Sequence, residues 1–187
     1  METKYKTIKV VVPPDLIERC WKRGAEIVIG YGRGEYERSR LVGGTGNRRI
    51  DNDVKVQAMS RVCECAGAMA MRLDPRDAIK WTGGPDPGWD FVFRDSRWDV
   101  KGSWSGSSLI WSRFKNHLLA SSRADILMMV YTDPPDDNGN CTGNSIAHGW
   151  VTKDNFIKYK LTAGPFDKLD EGTYNMPAEN LCWMSDW

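Results

Sequence analysis

Two aspartates and a lysine stand close together in the segment Gly88-Trp89-Asp90-Phe91-Val92-Phe93-Arg94-Asp95-Ser96-Arg97-Trp98-Asp99-Val100-Lys101. Apolar and polar residues alternate on either side of Arg94-Asp95-Ser96-Arg97, which predicts two short strands, Trp89 to Phe93 and Trp98 to Lys101, folded as a hairpin. With the turn centred on Asp95-Ser96, Phe93 faces Trp98, Val92 faces Asp99, Phe91 faces Val100 and Asp90 faces Lys101. Side chains alternate along a strand, so Asp90, Val92, Asp99 and Lys101 share one face. Phe91, Phe93, Trp98 and Val100 share the other, an apolar face that must meet a core and that opposes a one-residue slip. Two carboxylates and an ammonium thus fall within cross-strand reach, ~5–8 Å. Such hard oxygen donors suit Mg²⁺, which takes one or two carboxylates together with waters and phosphate oxygens. The ion polarises a phosphoryl oxygen and acidifies its water, and an adjacent ammonium stabilises the charge that develops. The plainer account is a surface hairpin with a cross-strand ion pair worth ~0.2–1 kcal/mol. The same acid-x-Lys spacing recurs at Glu2-Thr3-Lys4 and Asp53-Val54-Lys55, but with no paired strand beside it.

A third carboxylate stands on a helix. Asp51 or Asn52 can cap a helix that runs to about Leu73, where Asp74-Pro75 stops it. At about 100° per residue, Asp53, Gln57, Ser60, Glu64, Ala68 and Met71 lie along one stripe, polar up to Glu64 and apolar beyond it. Cys65 to Met71 carry no charge, so Glu64 stands where the helix enters a core. Ala66, Gly67, Ala68 and Ala70 are small and allow a close approach to a sheet, which carries Glu64 towards the hairpin acids. A solvated Glu64 paired with Arg61, three residues earlier, is the competing account.

The elements that must position these groups alternate in type. Lys6 to Val12 reads as a strand, and Pro13-Pro14-Asp15 opens a helix to about Arg23. Residues 30–50 are rich in Gly and Arg and have no apolar period, which predicts an irregular segment. Beyond the hairpin, Ser107 or Ser108 caps a helix to about Leu119, and Ala124 to Tyr131 reads as a buried strand. A polar loop leads to a strand from Ile146 to Val151, and Thr152 caps a short helix through about Tyr159. The tail from Leu161 is irregular, with a last strand near Tyr174. This order predicts an α/β fold in which helices flank a central mixed sheet. The 187 residues suit one domain, and 41% hydrophobic with 27% charged residues excludes a disordered chain.

An acid on an early helix, an Asp opening a hairpin, and Asp99-Val100-Lys101 on its second strand resemble the PD-(D/E)xK superfamily of restriction-endonuclease-like nucleases. The resemblance covers about residues 52–160. Ala124 to Val130 and His148 to Phe156 are similar to later core elements of that family. Residues 1–51 are then a basic extension and 161–187 a tail. The resemblance implies a restriction-endonuclease-like core and a nuclease that hydrolyses phosphodiester bonds with Mg²⁺, or Mn²⁺ as a substitute, in DNA more than RNA. It implies roles residue by residue. Asp90 and Asp99 would bind the ion, and the carbonyl of Val100 would complete its shell. Glu64 would be a further ligand or hold a ligand water, and Lys101 would position or activate the attacking water. Pro85-Asp86 spells the family's literal PD but sits in a Gly/Pro turn, so Asp90, with its strand context, is assigned. Endonucleolytic or exonucleolytic cutting, and a homodimer, are left open.

The remaining features narrow the partners. The net charge is only +1, yet residues 1–50 carry 11 Lys/Arg against 6 Asp/Glu. Arg40, Arg48 and Arg49 lie beside Gly43-Gly44-Thr45-Gly46 and are expected to grip nucleic-acid phosphates. No Lys-Ser/Thr follows these glycines, so they do not form a P-loop. Five cysteines without a CxxC spacing, and a start unlike a signal peptide, lead to the expectation of a reduced, cytoplasmic protein. No apolar run approaches the ~20 residues of a membrane helix. Zinc is disfavoured because Cys63 and Cys65 face different sides of their helix. Trp104 and Trp111 suit core packing more than base stacking, and His117 has no nucleophile elbow to serve. Two rivals remain: a catalytically inactive nuclease-like module that binds nucleic acid or a protein partner, and a structural protein whose hairpin charges are merely solvated.

Overall fold

The computed structural model describes residues 7–32, 50–81, 88–103, 108–112, 123–136, 138–158 and 173–184. The elements are β1 (Ile8–Val11), α1 (Pro14–Gly32), α2 (Ile50–Ala70), α3 (Pro75–Ala78), β2 (Phe91–Phe93), β3 (Ser96–Ser103), β4 (Ser108–Ser112), β5 (Ile126–Thr132), β6 (Asn144–Thr152), α4 (Lys153–Phe156) and β7 (Thr173–Pro177). Five strands form one sheet in the order β1-β6-β5-β3-β2. Strands β3 and β5 run parallel and the other neighbours antiparallel, so the sheet is mixed. The α/β class holds. Strands β4 and β7 pair separately.

β5 is the central strand, and its sequence says why: Ile126-Leu127-Met128-Met129-Val130 is apolar on both faces and wholly buried. One face, with Met128 and Val130, packs with residues of α1 and α2. The other face, with Leu127 and Met129, packs with Phe156, Met176 and Leu181. Residues 8–32 are therefore no extension: they supply an edge strand and a helix of the main core. The tail likewise returns Met176 and Leu181 to the second core.

Helix α2 lies close on the sheet because its inner residues are small. A Cβ on Gly67 would stand 2.8 Å from a Val100 methyl and 3.2 Å from the Met128 sulfur. Gly102 similarly makes room for the Cys63 side chain. Cys65 faces the other way, its sulfur 3.7 Å from that of Cys20 on α1.

Three expectations need correction. First, the hairpin turn is Arg94-Asp95, both in the left-handed region (φ 46° and 61°), as a two-residue turn matched to strand twist requires. Phe91 therefore pairs with Trp98, Val92 with Arg97 and Phe93 with Ser96. Each partner moves by two residues, an even shift, so the two faces keep the predicted composition. Second, Ser108–Ser112 is not the start of a helix but a strand, antiparallel to Thr173–Pro177. Ile110 and Trp111 have low helix propensity, and a partner strand about sixty residues away supplies what local sequence does not reveal. Residues 113–122 lie outside the described set. Third, α1 continues past Arg23 to Gly32, through the glycines taken as irregular.

Gly24 tests the helix seam. A Cβ there would lie 2.8 Å from the Ala58 nitrogen and 2.9 Å from the Val54 oxygen, both backbone atoms that cannot turn aside. Gly24→Ala is expected to destabilise the fold by about 1–3 kcal/mol despite alanine's better helix propensity. Urea unfolding checks this, and a stability gain would contradict the seam.

Candidate active site

Strand β3 carries the chemistry because alternation splits its side chains cleanly. Trp98 and Val100 are buried in the core against the helices, and Gly102 abuts Cys63 of α2. Arg97, Asp99 and Lys101 take the opposite face. Asp99 is 9% exposed, and the Lys101 ammonium sits 2.9 Å from its Oδ1.

β2 begins only at Phe91, opposite Trp98, while β3 runs on to Ser103, so the sheet edge splits there. Asp90 stands at the split. Its N–H donates to the Trp98 carbonyl at 2.7 Å, and its Oδ2 accepts the Val100 N–H at 2.6 Å. A carboxylate has thus taken the place of a ladder carbonyl. The observed register brings Asp90 level with Asp99, its carboxylate on the N–H of the next residue, rather than opposite Lys101 as the expected register had it.

Glu64 reaches the same place from α2. It is 5% exposed, and Arg61 Nη1 donates to its Oε2 at 2.5 Å. Glu64 therefore enters the core as expected; it also pairs with Arg61, but buried rather than solvated. Desolvation pushes the Glu64 carboxyl up to about 6, Arg61 opposing, with Asp99 raising it further and Lys101 lowering it. Desolvation also pushes Asp90 well above the usual carboxylate range, and the charges of Glu64 and Asp99 add to it. Lys101 and the Val100 N–H pull Asp90 the other way. Residues from a helix, a strand end and a strand interior thus form one electrostatic unit of Glu64, Asp90, Asp99 and Lys101.

These are hard, desolvated, mutually repelling oxygen donors, and that donor chemistry fits Mg²⁺ or Mn²⁺. Among the described residues, no three such side chains converge as a finished cage. Arg61, the Val100 N–H and Lys101 each hold one of the carboxylates. Val100 contributes its N–H to Asp90 and its side chain to the core.

One partnership was not read from the sequence. Asp125, just before β5, accepts the Arg97 backbone N–H at 2.9 Å, Nε at 3.0 Å and Nη2 at 2.8 Å. Hydrogen bonds from the Arg97 side chain and backbone hold the Asp125 carboxyl down at about 2. The guanidinium also lies 5.6 Å over the Trp89 ring, next to Asp90. Arg97 shares the parity of Asp99 and Lys101, which was a usable signal, but Asp125 is too distant in sequence to have been found. Arg40, Arg48 and Arg49 lie outside the described residues, as do Asp86, Trp104 and His117.

Asp90 carries a stability signature. A carboxyl raised in the fold binds its proton more tightly than in the unfolded chain, so its ionisation weakens the fold as pH rises. Asp90→Asn keeps an oxygen for the Val100 N–H and removes one of three repelling charges. Its thermal midpoint, without divalent ions, is expected to exceed the wild type's at about pH 8, by about 2–4 °C per kcal/mol of relief. The gap should close as pH falls to about 4. Thermal denaturation across that range checks this, and a lower midpoint at the alkaline end would refute the crowding of charges.

Comparisons with protein-family models, curated proteins and solved structures return no match.

Proposed function

We propose that this protein is a metal-dependent nuclease that hydrolyses phosphodiester bonds, in DNA more than RNA, on a restriction-endonuclease-like core. One observation carries this reading: Glu64 of α2, Asp90 before β2, and Asp99 and Lys101 of β3 are near enough to act on one another electrostatically at the sheet edge. Like charges are costly to collect in a desolvated place, and function is a sufficient reason to retain them. Asp90 and Asp99 would hold Mg²⁺, with Glu64 as a further ligand or the holder of a ligand water. Bound there, the ion would supply Lewis acidity towards a phosphoryl oxygen and a more acidic water. Lys101, on the same strand face as Asp99, is placed to orient the attacking water and to meet negative charge as it grows on the phosphorus oxygens. Desolvation around Asp90 and Glu64 strengthens each of these interactions over its value in water.

A binding module without catalysis is the second reading. It is favoured by the protein partners that each carboxylate already has: Arg61, the Val100 N–H and Lys101. The two readings part in a single assay. Single-stranded, duplex and branched DNA, and RNA, are incubated with the protein in Mg²⁺, Mn²⁺ or EDTA. Cleavage of DNA in Mg²⁺ or Mn²⁺ and none in EDTA is expected. Asp99→Asn should abolish it with the thermal midpoint nearly unchanged, and undiminished cutting by that variant would remove the site assignment.

Lys101→Met isolates the ammonium. It keeps the aliphatic stem, and Val100 and Trp98 still fill the core behind the strand. Binding measured in Ca²⁺ should change little, because many phosphates share it. Single-turnover cleavage should slow a hundredfold or more, about 2.7 kcal/mol. Equal losses of binding and rate would show that Lys101 only binds.

A further inference from the structure

The seam between α1 and α2 holds a charged feature that the carboxylate site does not explain. Val54, Ala58, Arg61 and Cys65 recur at helical spacing along α2. Three of the four are seen against α1: Val54 and Ala58 meet Gly24, and Cys65 meets Cys20. Arg61 belongs to this stripe, between Ala58 and Cys65. On α1, Arg23 falls between Cys20 and Gly24. The helices are antiparallel by these contacts, so Arg23 and Arg61 stand at one level of the seam.

Arg23 is 8% exposed. Its Nη1 donates to Glu26 at 3.0 Å, yet its Nε is buried and has no hydrogen-bond partner. Glu26 is on the solvent side, with a side chain 49% exposed. A buried charged donor left unmatched is unfavourable and calls for an acceptor. Arg61 brings a second guanidinium to the same level of the seam. The Arg61 side chain is 23% exposed, so the seam opens towards solvent on its side, and among its partners is Glu64.

We propose that Arg23 and Arg61 form a subsite for a polynucleotide backbone phosphate, next to the one that is cut. The inference rests on the nuclease reading. Two planar guanidinium forks match a tetrahedral phosphate better than a point charge does. A phosphate on Arg61 lies one helical turn from Glu64, which fixes the strand's position relative to the carboxylates.

The test measures binding without cleavage. Fluorescein-labelled single-stranded and duplex DNA are titrated by anisotropy in Ca²⁺, between about 50 and 200 mM salt. Arg23→Met should weaken binding about tenfold, the loss expected for one charged hydrogen bond. It should also flatten the salt slope by about 0.7 for single strands or 0.9 for duplex. Unchanged affinity and slope in a folded variant would overturn the subsite. Should Arg23→Met not fold, Glu26→Gln decides: removing the competing carboxylate should tighten binding and steepen the slope, and no change would overturn the subsite. A wild-type protein that binds no DNA overturns the subsite and the nuclease reading together. One that binds and cuts DNA, with a salt slope indifferent to Arg23, overturns the subsite alone.

Discussion

Helix α2 can lie as close to the sheet as it does only because Gly67 has no side chain where Val100 and Met128 press against it. The rest of the site follows from that contact. Glu64 sits three residues before Gly67, so the depth at which the helix rests sets how far the Glu64 carboxylate reaches towards the strand edge. Cys63, packed against Gly102, fixes the rotation of the same helix turn. Cys65, two residues on, is fixed by Cys20 from the opposite side. Glu64 is thus held between two buried contacts, with little freedom to withdraw from Asp99 and Asp90.

The sheet makes a matching concession. Among the described residues, β2 pairs with only three residues of the eight-residue β3. An edge of this kind needs acceptors, and Asp90 supplies one with its side chain. The bond stabilises the strand end and, in the same act, brings a carboxylate beside Asp99. The cost of crowding is offset nearby. Asp125 grips Arg97 through backbone and side chain, and Arg97 covers Trp89, so the chain entering Asp90 is braced from β5.

Much of this was legible in residue order, and for identifiable reasons. The period of two gives the faces of β2 and β3 whatever the register, because the true pairing differs from the expected one by an even step. Glu64 was visible as the last charge before an uncharged run. The register itself was not visible: a left-handed pair is usually announced by Asn-Gly or Asp-Gly, and here it is Arg94-Asp95. β4 escaped because its partner lies in the tail, and five residues are too few for a period to show. The bond from Val100 N–H to Asp90 was hidden for another reason. It follows from where β2 ends, and no alternation pattern encodes the point at which a strand stops pairing.

The charges of the site also carry a direction. Glu64, Asp90 and Asp99 are gathered against Arg61 and Lys101, so the fully ionised cluster is acidic by one charge. Such a cluster repels a polyanion, which is a poor beginning for a nuclease. On the proposed reading, a divalent cation held by the carboxylates would reverse the sign, and a phosphate would be attracted where it was repelled. Arg61 and Lys101 would no longer be the main counterions of the acids in that state, and their charge would become available to the phosphate. Each binding event would therefore favour the other, and by linkage to the same extent in both directions. On the proposed reading, the ion pairs that occupy the carboxylates are part of the device: they make the acidic cluster tolerable alone and are exchanged when ion and substrate arrive together.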